Sequence, residues 1–302
     1  MNIMEKIQKL KKEKNAIFLV HNYQPPEIQD IADFRGDSLG LSLEASQTTA
    51  DIIVFCGVTF MAETAKILSP EKTVLIPEKT AGCPMADTIR SRDLQKMKSE
   101  HPEAQTLCYV NTTAEVKAEC DYCCTSANAV TVVTQALTHA KEIIFVPDAN
   151  LAAYVTRKTG RTFVTWAGSC PVHAGITPQD IRLRKVLHPT AEIIVHPECT
   201  PEVIDLADQV LSTEGMSRYI RQSSSPEFIL GTETGILYRL RQENPEKIFY
   251  PLSTGAVCPN MKKITLDKIL TALEEMTHEV TIPEDIQKRA ELSIRRMLVY
   301  RS

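Results

Sequence analysis

The stretch Ala16-Ile17-Phe18-Leu19-Val20-His21-Asn22-Tyr23-Gln24-Pro25-Pro26 sets the reading of the whole 302-residue chain. A short apolar run rich in β-branched and aromatic side chains ends in a polar cluster, and a proline pair stands where a helix would start. That is the grammar of a buried parallel strand feeding a crossover helix. Two later runs have the same shape. Aligning Phe18-Leu19-Val20-His21 with Cys108-Tyr109-Val110-Asn111 and with Ile194-Val195-His196 makes His21, Asn111 and His196 equivalent, 90 and 85 residues apart.

Three further landmarks recur in the same order. Gly36-Asp37-Ser38, Thr125-Ser126 and Ser212-Thr213 each precede a segment of helical character, and Ser38, Ser126 and Thr213, 88 and 87 residues apart, are expected as N-caps. Another strand ends at Gly57, Pro147 and Gly231. A last one leads to Cys83-Pro84, Cys170-Pro171 and Cys258-Pro259, spaced by 87 and 88, and only these three of nine cysteines precede proline. A common period near 87 predicts a threefold internal repeat of a βαβαβ unit. The expected fold is α/β: three similar αβα, Rossmann-like domains with parallel sheets, closed around a pseudo-threefold axis rather than stacked in a line. The units are expected at 1–85 with a C-terminal helical segment about 265–302, at 86–172 and at 173–264.

Composition removes several function classes. With 43% hydrophobic and 24% charged residues, and apolar runs far shorter than a membrane span, the chain reads as soluble and globular. Lys and Arg number 34 against 38 Asp and Glu, a net −4, so neither nucleic acid nor a membrane surface is an expected partner. The lysine-rich first fifteen residues lead into no signal-peptide core, which predicts a cytoplasmic protein. An odd cysteine count in a reducing compartment argues for thiolates that bind metal, react or lie buried.

In parallel α/β units, function sits on the loops after the carboxyl ends of the strands, where every landmark above falls. Three inward-facing cysteines, Cys83, Cys170 and Cys258, suit a cubane 4Fe-4S cluster whose fourth iron stays open as a Lewis acid. Structural zinc on the same cysteines with His173 is the competing reading, and three unconnected buried thiols the third. Cys120, Cys123 and Cys124, although they form a CxxCC run, occur once in the threefold pattern and are read as structural, as are Cys56, Cys108 and Cys199. Ser38, Ser126 and Thr213 either hold anionic groups at helix N-termini or merely cap their helices. Proton-transfer candidates are His21, Tyr23, Tyr109, Asn111, His196 and Glu198, with Glu198 the expected general base.

The segments HNYQPPEIQDIAD, GDSLGL, YVNTTAEVKA, CTSANAV, PDANLA, SCPVH, HPEC, GTETG and AVCPNMKK, in this order and over nearly the whole chain, resemble the quinolinate synthase family. The resemblance implies a triangular protein of three αβα domains and a 4Fe-4S cluster on Cys83, Cys170 and Cys258. It also implies the condensation of iminoaspartate with dihydroxyacetone phosphate to quinolinate, phosphate and water, in NAD biosynthesis, with iminoaspartate supplied by an aspartate-oxidising enzyme. Acid/base and substrate contacts carry over onto His21, Tyr23, Ser38, Tyr109, Asn111, Ser126, His196, Glu198, Ser212 and Thr213. One departure is that some bacterial members carry a CxxCxxC run near the C-terminus, whereas no cysteine follows Cys258 here, so redox control through that run does not transfer. The alternative from another class is a non-enzymatic scaffold or sensor with a structural zinc or iron-sulfur centre.

Overall fold

The quoted run forms the first strand because both its faces are covered: Phe18, Leu19 and Val20 are fully buried, as parallel strands under helices require. A computed structural model describes residues 2–300 and contains three sheets, every strand pair parallel. The first holds β1 (Ala16–His21), β2 (Phe34–Gly36), β3 (Ile52–Cys56) and β4 (Thr73–Leu75) in the order β2-β1-β3-β4. The second holds β5 (Gln105–Tyr109), β6 (Tyr122–Cys124), β7 (Ile143–Val146) and β8 (Val164–Thr165) as β6-β5-β7-β8. The third holds β9 (Glu192–Val195), β10 (Gln209–Val210), β11 (Glu227–Gly231) and β12 (Ile248–Pro251) as β10-β9-β11-β12. The α/β class and the three similar units stand as expected.

Strand register corrects the alignment inside the repeat. Val20 pairs with Cys56 and His21 with Gly36, whereas in the second sheet Cys108 pairs with Val146 and Tyr109 with Cys124, and in the third Val195 pairs with Gly231. Tyr109 is therefore the counterpart of His21 and His196, at spacings of 88 and 87, and Asn111 is the counterpart of Tyr23 and Glu198. Matching polar residues by type had moved the second copy by two.

A device repeats that the sequence reading missed. Asp33, Asp121 and Asp208 each accept the backbone N–H of the first strand of their own unit, at Phe18, Thr106 and Ile193, at 2.8, 2.8 and 2.7 Å. Each also returns its own N–H to the carbonyl of that same residue. Both edges of the entry to β2, β6 and β10 are thus pinned to the neighbouring central strand.

The N-caps also need correction. Asp37 caps the helix Ser38–Gln47 through Gly40, and Ser212 caps Thr213–Gln222 through Gly215. In the second unit Thr125 Oγ1 accepts the Ala127 N–H at 3.2 Å while Asn128 Oδ1 accepts that of Thr125 at 2.8 Å, closing the turn before the short helix Ala129–Thr131. Ser38 and Thr213 stand one residue after the capping residues Asp37 and Ser212, and Ser126 stands two before Asn128, the residue at the cap position of its helix, so none of the three hydroxyls is used as a cap.

At the C-terminus the helix Leu266–Glu275 packs on the helix Ile3–Glu13, with Ile7, Ile269 and Leu273 in one apolar cluster with Phe18 and Val20. The helix Glu284–Leu298 lies against β6 and the helices Ala114–Lys117 and Thr59–Leu68, bracing the second unit as well as the first. No helix among the described residues is long and apolar enough to cross a membrane.

Candidate active site

The Cys-Pro loops are set by the same bond in each unit. The N–H of Thr59, Ala149 and Thr234 donates to the carbonyl of Ala81, Gly168 and Ala256, at 2.8, 2.8 and 2.9 Å, and each acceptor lies two residues before its cysteine. The start of the segment after β3, β7 or β11 therefore fixes the height of Cys83, Cys170 or Cys258. All three cysteines line one chamber at the carboxyl ends of the three sheets. In the third unit a buried carboxylate adds to the fixing: Glu233 Oε1 accepts the Cys258 N–H at 3.1 Å and pairs with Lys262 Nζ at 2.9 Å, while Oε2 accepts the Gly235 N–H at 2.7 Å. Lys262 also donates to the Tyr23 carbonyl, tying the first unit to the third.

His21 and His196 carry one shared device. In each, the N–H two residues on, from Tyr23 or Glu198, donates to Nδ1 at 3.2 or 3.3 Å. An Nδ1 that accepts leaves the proton on Nε2, so both rings are neutral and present Nε2 as a donor. Burial pushes both pKa values down to about 3; the Lys262 charge adds to the effect at His21, and the Glu198 carboxylate opposes it at both rings without cancelling it. His196 stacks on His173 with ring centroids 4.5 Å apart.

Glu198, 3% exposed, joins the two tyrosines. Tyr109 donates to Oε1, and His173 Nδ1 lies 2.8 Å from Oε2. His173 Nε2 is 2.9 Å from Thr232 Oγ1, which is 2.7 Å from the Tyr23 hydroxyl. Burial alone would raise the Glu198 pKa, but His173 and His196 and the bonds from His173 and Tyr109 outweigh it and hold the carboxyl well below its usual range. Because an ionised carboxylate only accepts, His173 Nδ1 carries its proton; in the neutral ring Nε2 then accepts from Thr232, and Thr232 accepts from Tyr23. Burial, reinforced by the Glu198 charge, pushes both tyrosines up, so they are neutral donors.

The structure brings His21, Tyr23, Tyr109, Asn111, His196 and Glu198 to this chamber, and Ser38, Ser126 and Thr213 with them. Ser212 is not on its wall; its hydroxyl accepts the Gly215 N–H at 3.2 Å. Asn111 Oδ1 is buried with no partner among the described residues. Thr232 and Glu233 were missed, and His173 was considered only as a metal ligand. The segment GTETG held the signal for two of them, a threonine and a charged residue directly after a buried strand.

The donor set fits a cluster held by three sulfurs: one cysteine from each unit, all lining one chamber, their loops held by equivalent bonds. Burial pushes the Cys83 thiol up to about 12 and raises Cys170 and Cys258 as well, so metal binding must displace their protons. Cys170, His173 and Glu198 also bring donor atoms within 4.8 Å of one another. Hydrogen bonding already accounts for that closeness, since His173 Nδ1 lies 3.3 Å from Cys170 Sγ and 2.8 Å from the carboxylate.

Three parallel sheets whose strand ends share a chamber of cysteines, neutral histidines and an ionised carboxylate wired to two tyrosines define an α/β enzyme built on a threefold repeat. The chain belongs to the quinolinate synthetase A protein family, whose model matches residues 5–299. It is 54% identical over 296 residues, 98% of this chain and 97% of the relative, to the quinolinate synthase of Dehalococcoides mccartyi strain CBDB1. Identity to the quinolinate synthases of Thermodesulfovibrio yellowstonii and Methanosarcina barkeri is 54% and 51%, with the same coverage.

Proposed function

We propose that this protein makes quinolinate, condensing iminoaspartate with dihydroxyacetone phosphate and releasing phosphate and water, with a 4Fe-4S cluster held by Cys83, Cys170 and Cys258. The observation that carries the reading is the meeting of these cysteines, one per repeat, beside the Tyr109–Glu198–His173–Thr232–Tyr23 chain. When bound, the cluster supplies a Lewis-acidic iron that no protein sulfur occupies, suited to the loss of hydroxide as water.

The protein's own groups do the rest. The substrates together bring two carboxylates and a phosphate, and the chamber offers donors to match: the Nε2–H of His21 and His196 and the first helical turns at Ser38 and Thr213. Glu198, ionised and reached by two hydrogen bonds, accepts the proton that leaves carbon during bond formation and isomerisation. Tyr109 and Tyr23, neutral because they are buried, return protons to departing oxygens. Thr232 and His173 connect Tyr23 to Glu198 by hydrogen bonds, so a change of charge on the carboxylate is felt at the Tyr23 hydroxyl. Nine unpaired cysteines support a reducing, cytoplasmic setting, and iminoaspartate would come from an aspartate-oxidising enzyme.

The second reading is a structural zinc centre, favoured by the closeness of Cys170, His173 and Glu198. Anaerobic metal analysis with an assay for quinolinate separates the two. About four irons and four sulfides per chain with quinolinate formed support the enzyme, whereas stoichiometric zinc without sulfide supports the other.

A further inference from the structure

Asn22, fully buried between the first and third units, bridges two groups whose hydrogen-bonding roles are not free. Arg239 Nη1, which can only donate, lies 2.8 Å from Asn22 Oδ1. That makes Oδ1 the acceptor and Nδ2 the donor, and Nδ2 is 2.9 Å from Thr213 Oγ1. Glu214 Oε1, an acceptor only, lies 3.4 Å from Nδ2 and requires the same orientation. Arg239 is itself clamped, by an ion pair to Glu214 and by Nε to Glu243 Oε1 at 2.6 Å, with Ser217 donating to Glu243 at 2.6 Å. The amide therefore cannot flip without breaking a buried network.

The consequence falls on Thr213, 2% exposed, the first residue of its helix and part of the chamber wall. Its oxygen already accepts from Asn22. Its own proton has no acceptor among the described residues, and the open direction is the chamber. The geometry points to Asn22 and Arg239 as positioning residues that make the Thr213 hydroxyl an obligate donor to a carboxylate oxygen of the bound substrate. This rests on the function proposed above. A threonine without such a partner could turn either lone pair or proton inward and would not select an anion.

Asn22→Asp tests it, because the variant keeps the acceptor for Arg239 but replaces the N–H by an oxygen that draws the Thr213 proton away from the chamber. On anaerobically prepared, cluster-loaded protein, equilibrium dialysis should show the Kd for quinolinate rising about 10- to 100-fold, the range of one charge-assisted hydrogen bond. KM should rise with kcat little changed, as for lost uniform binding. Thr213→Val should lose the same amount, Thr213→Ser should restore binding, and Asn22→Asp with Thr213→Val should be no worse than Thr213→Val alone. Normal binding by Asn22→Asp, or a double variant losing the product of the single effects, overturns the inference. Normal binding by Thr213→Val instead refutes the anion-binding reading of Thr213 on which the inference depends, so the two failures are distinct. Inorganic phosphate is the second probe: a loss of quinolinate affinity with phosphate binding unchanged supports the carboxylate, and weakened phosphate binding with quinolinate binding unchanged overturns the inference. If Asn22→Asp does not fold, Asn22→Ala removes the donor without placing a charge beside Glu214. It should weaken quinolinate about 3- to 10-fold with unchanged iron content, on the strength of an ordinary hydrogen bond, and wild-type affinity there overturns the proposal equally.

Discussion

Replacing Glu198 by Gln probes the centre of the chamber with the least disturbance of shape. The side chain keeps its heavy atoms and one acceptor oxygen, which stays opposite the Tyr109 hydroxyl. The new amide nitrogen then faces His173 Nδ1, 2.8 Å from the oxygen it replaces, and His173 must accept there instead of donating. Its Nε2 becomes the donor to Thr232, and Thr232 turns its proton to Tyr23. The chain reverses polarity without losing a bond. What changes is that a charge-assisted bond becomes neutral, of order 1 kcal/mol, while relief from burying a charge offsets it. Stability should therefore move by less than about 2 kcal/mol. Turnover should fall about 10²- to 10⁴-fold, because an amide cannot take up a proton, which corresponds to roughly 3 to 5 kcal/mol of barrier. The assay is quinolinate formation on anaerobic protein whose iron, sulfide and quinolinate affinity are measured on the same preparation. Near-normal turnover at full cluster content would remove Glu198 from the mechanism, and a folded variant without iron would make it a support of the metal site.

Cys83→Ala, Cys170→Ala and Cys258→Ala should each prevent stable cluster assembly, whereas Cys120→Ser with Cys123→Ser should retain it; iron and sulfide analysis decides, and the reverse pattern refutes the ligand assignment. His21 and His196 have pKa values of about 3, below their unfolded values, so they contribute stability above about pH 6.5 that is lost as pH falls toward 3, a few kcal/mol at most from each. Chemical unfolding at pH 7 and pH 5 should show that loss shrinking in His21→Gln or His196→Gln, and an unchanged slope would mean that the rings are not buried neutral. Gly235→Ala should destabilise by about 1–3 kcal/mol, since its Cβ would lie 2.7 Å from the Tyr23 carbonyl and 2.8 Å from both Glu233 Oε2 and Lys262 Nζ. A thermal shift below about 2 °C would show that this junction yields freely.

The repeat was legible because its period survives in residues that the backbone needs: prolines after cysteines, caps before helices, apolar runs between them. The cysteines could be paired across units by spacing alone, and the structure gives the mechanical reason, one backbone bond two residues before each. What failed was matching by chemical type. Asn111 looks like a polar partner for two histidines, but the register puts Tyr109 there, and hydroxyl, amide and imidazole had to be compared by position rather than polarity. The acid/base wire was illegible for another reason: His173 and Thr232 come from segments 59 residues apart, and no period relates them. Asp33, Asp121 and Asp208 were visible in principle at spacings of 88 and 87, yet an aspartate in a loop carries no signal of its own until the strand it pins is known.

The corrected register explains how a symmetric frame serves an asymmetric reaction. The position that ends the first strand of each unit reads His21, Tyr109, His196, and the position two further on reads Tyr23, Asn111, Glu198. Two units keep the imidazole whose Nδ1 is closed by the backbone, and the second unit puts a phenol in its place. That phenol meets Glu198, the only one of the three residues at its own position that is charged. Had the copies remained identical, three equivalent groups would face one another and no proton would have a preferred direction. Divergence at two positions per unit, with Cys83, Cys170 and Cys258 held alike, separates the two tasks. On the function proposed above, the cysteines would stay equivalent because a cubane cluster has a threefold axis, and the strand-end residues would differ because the two substrates have no such symmetry.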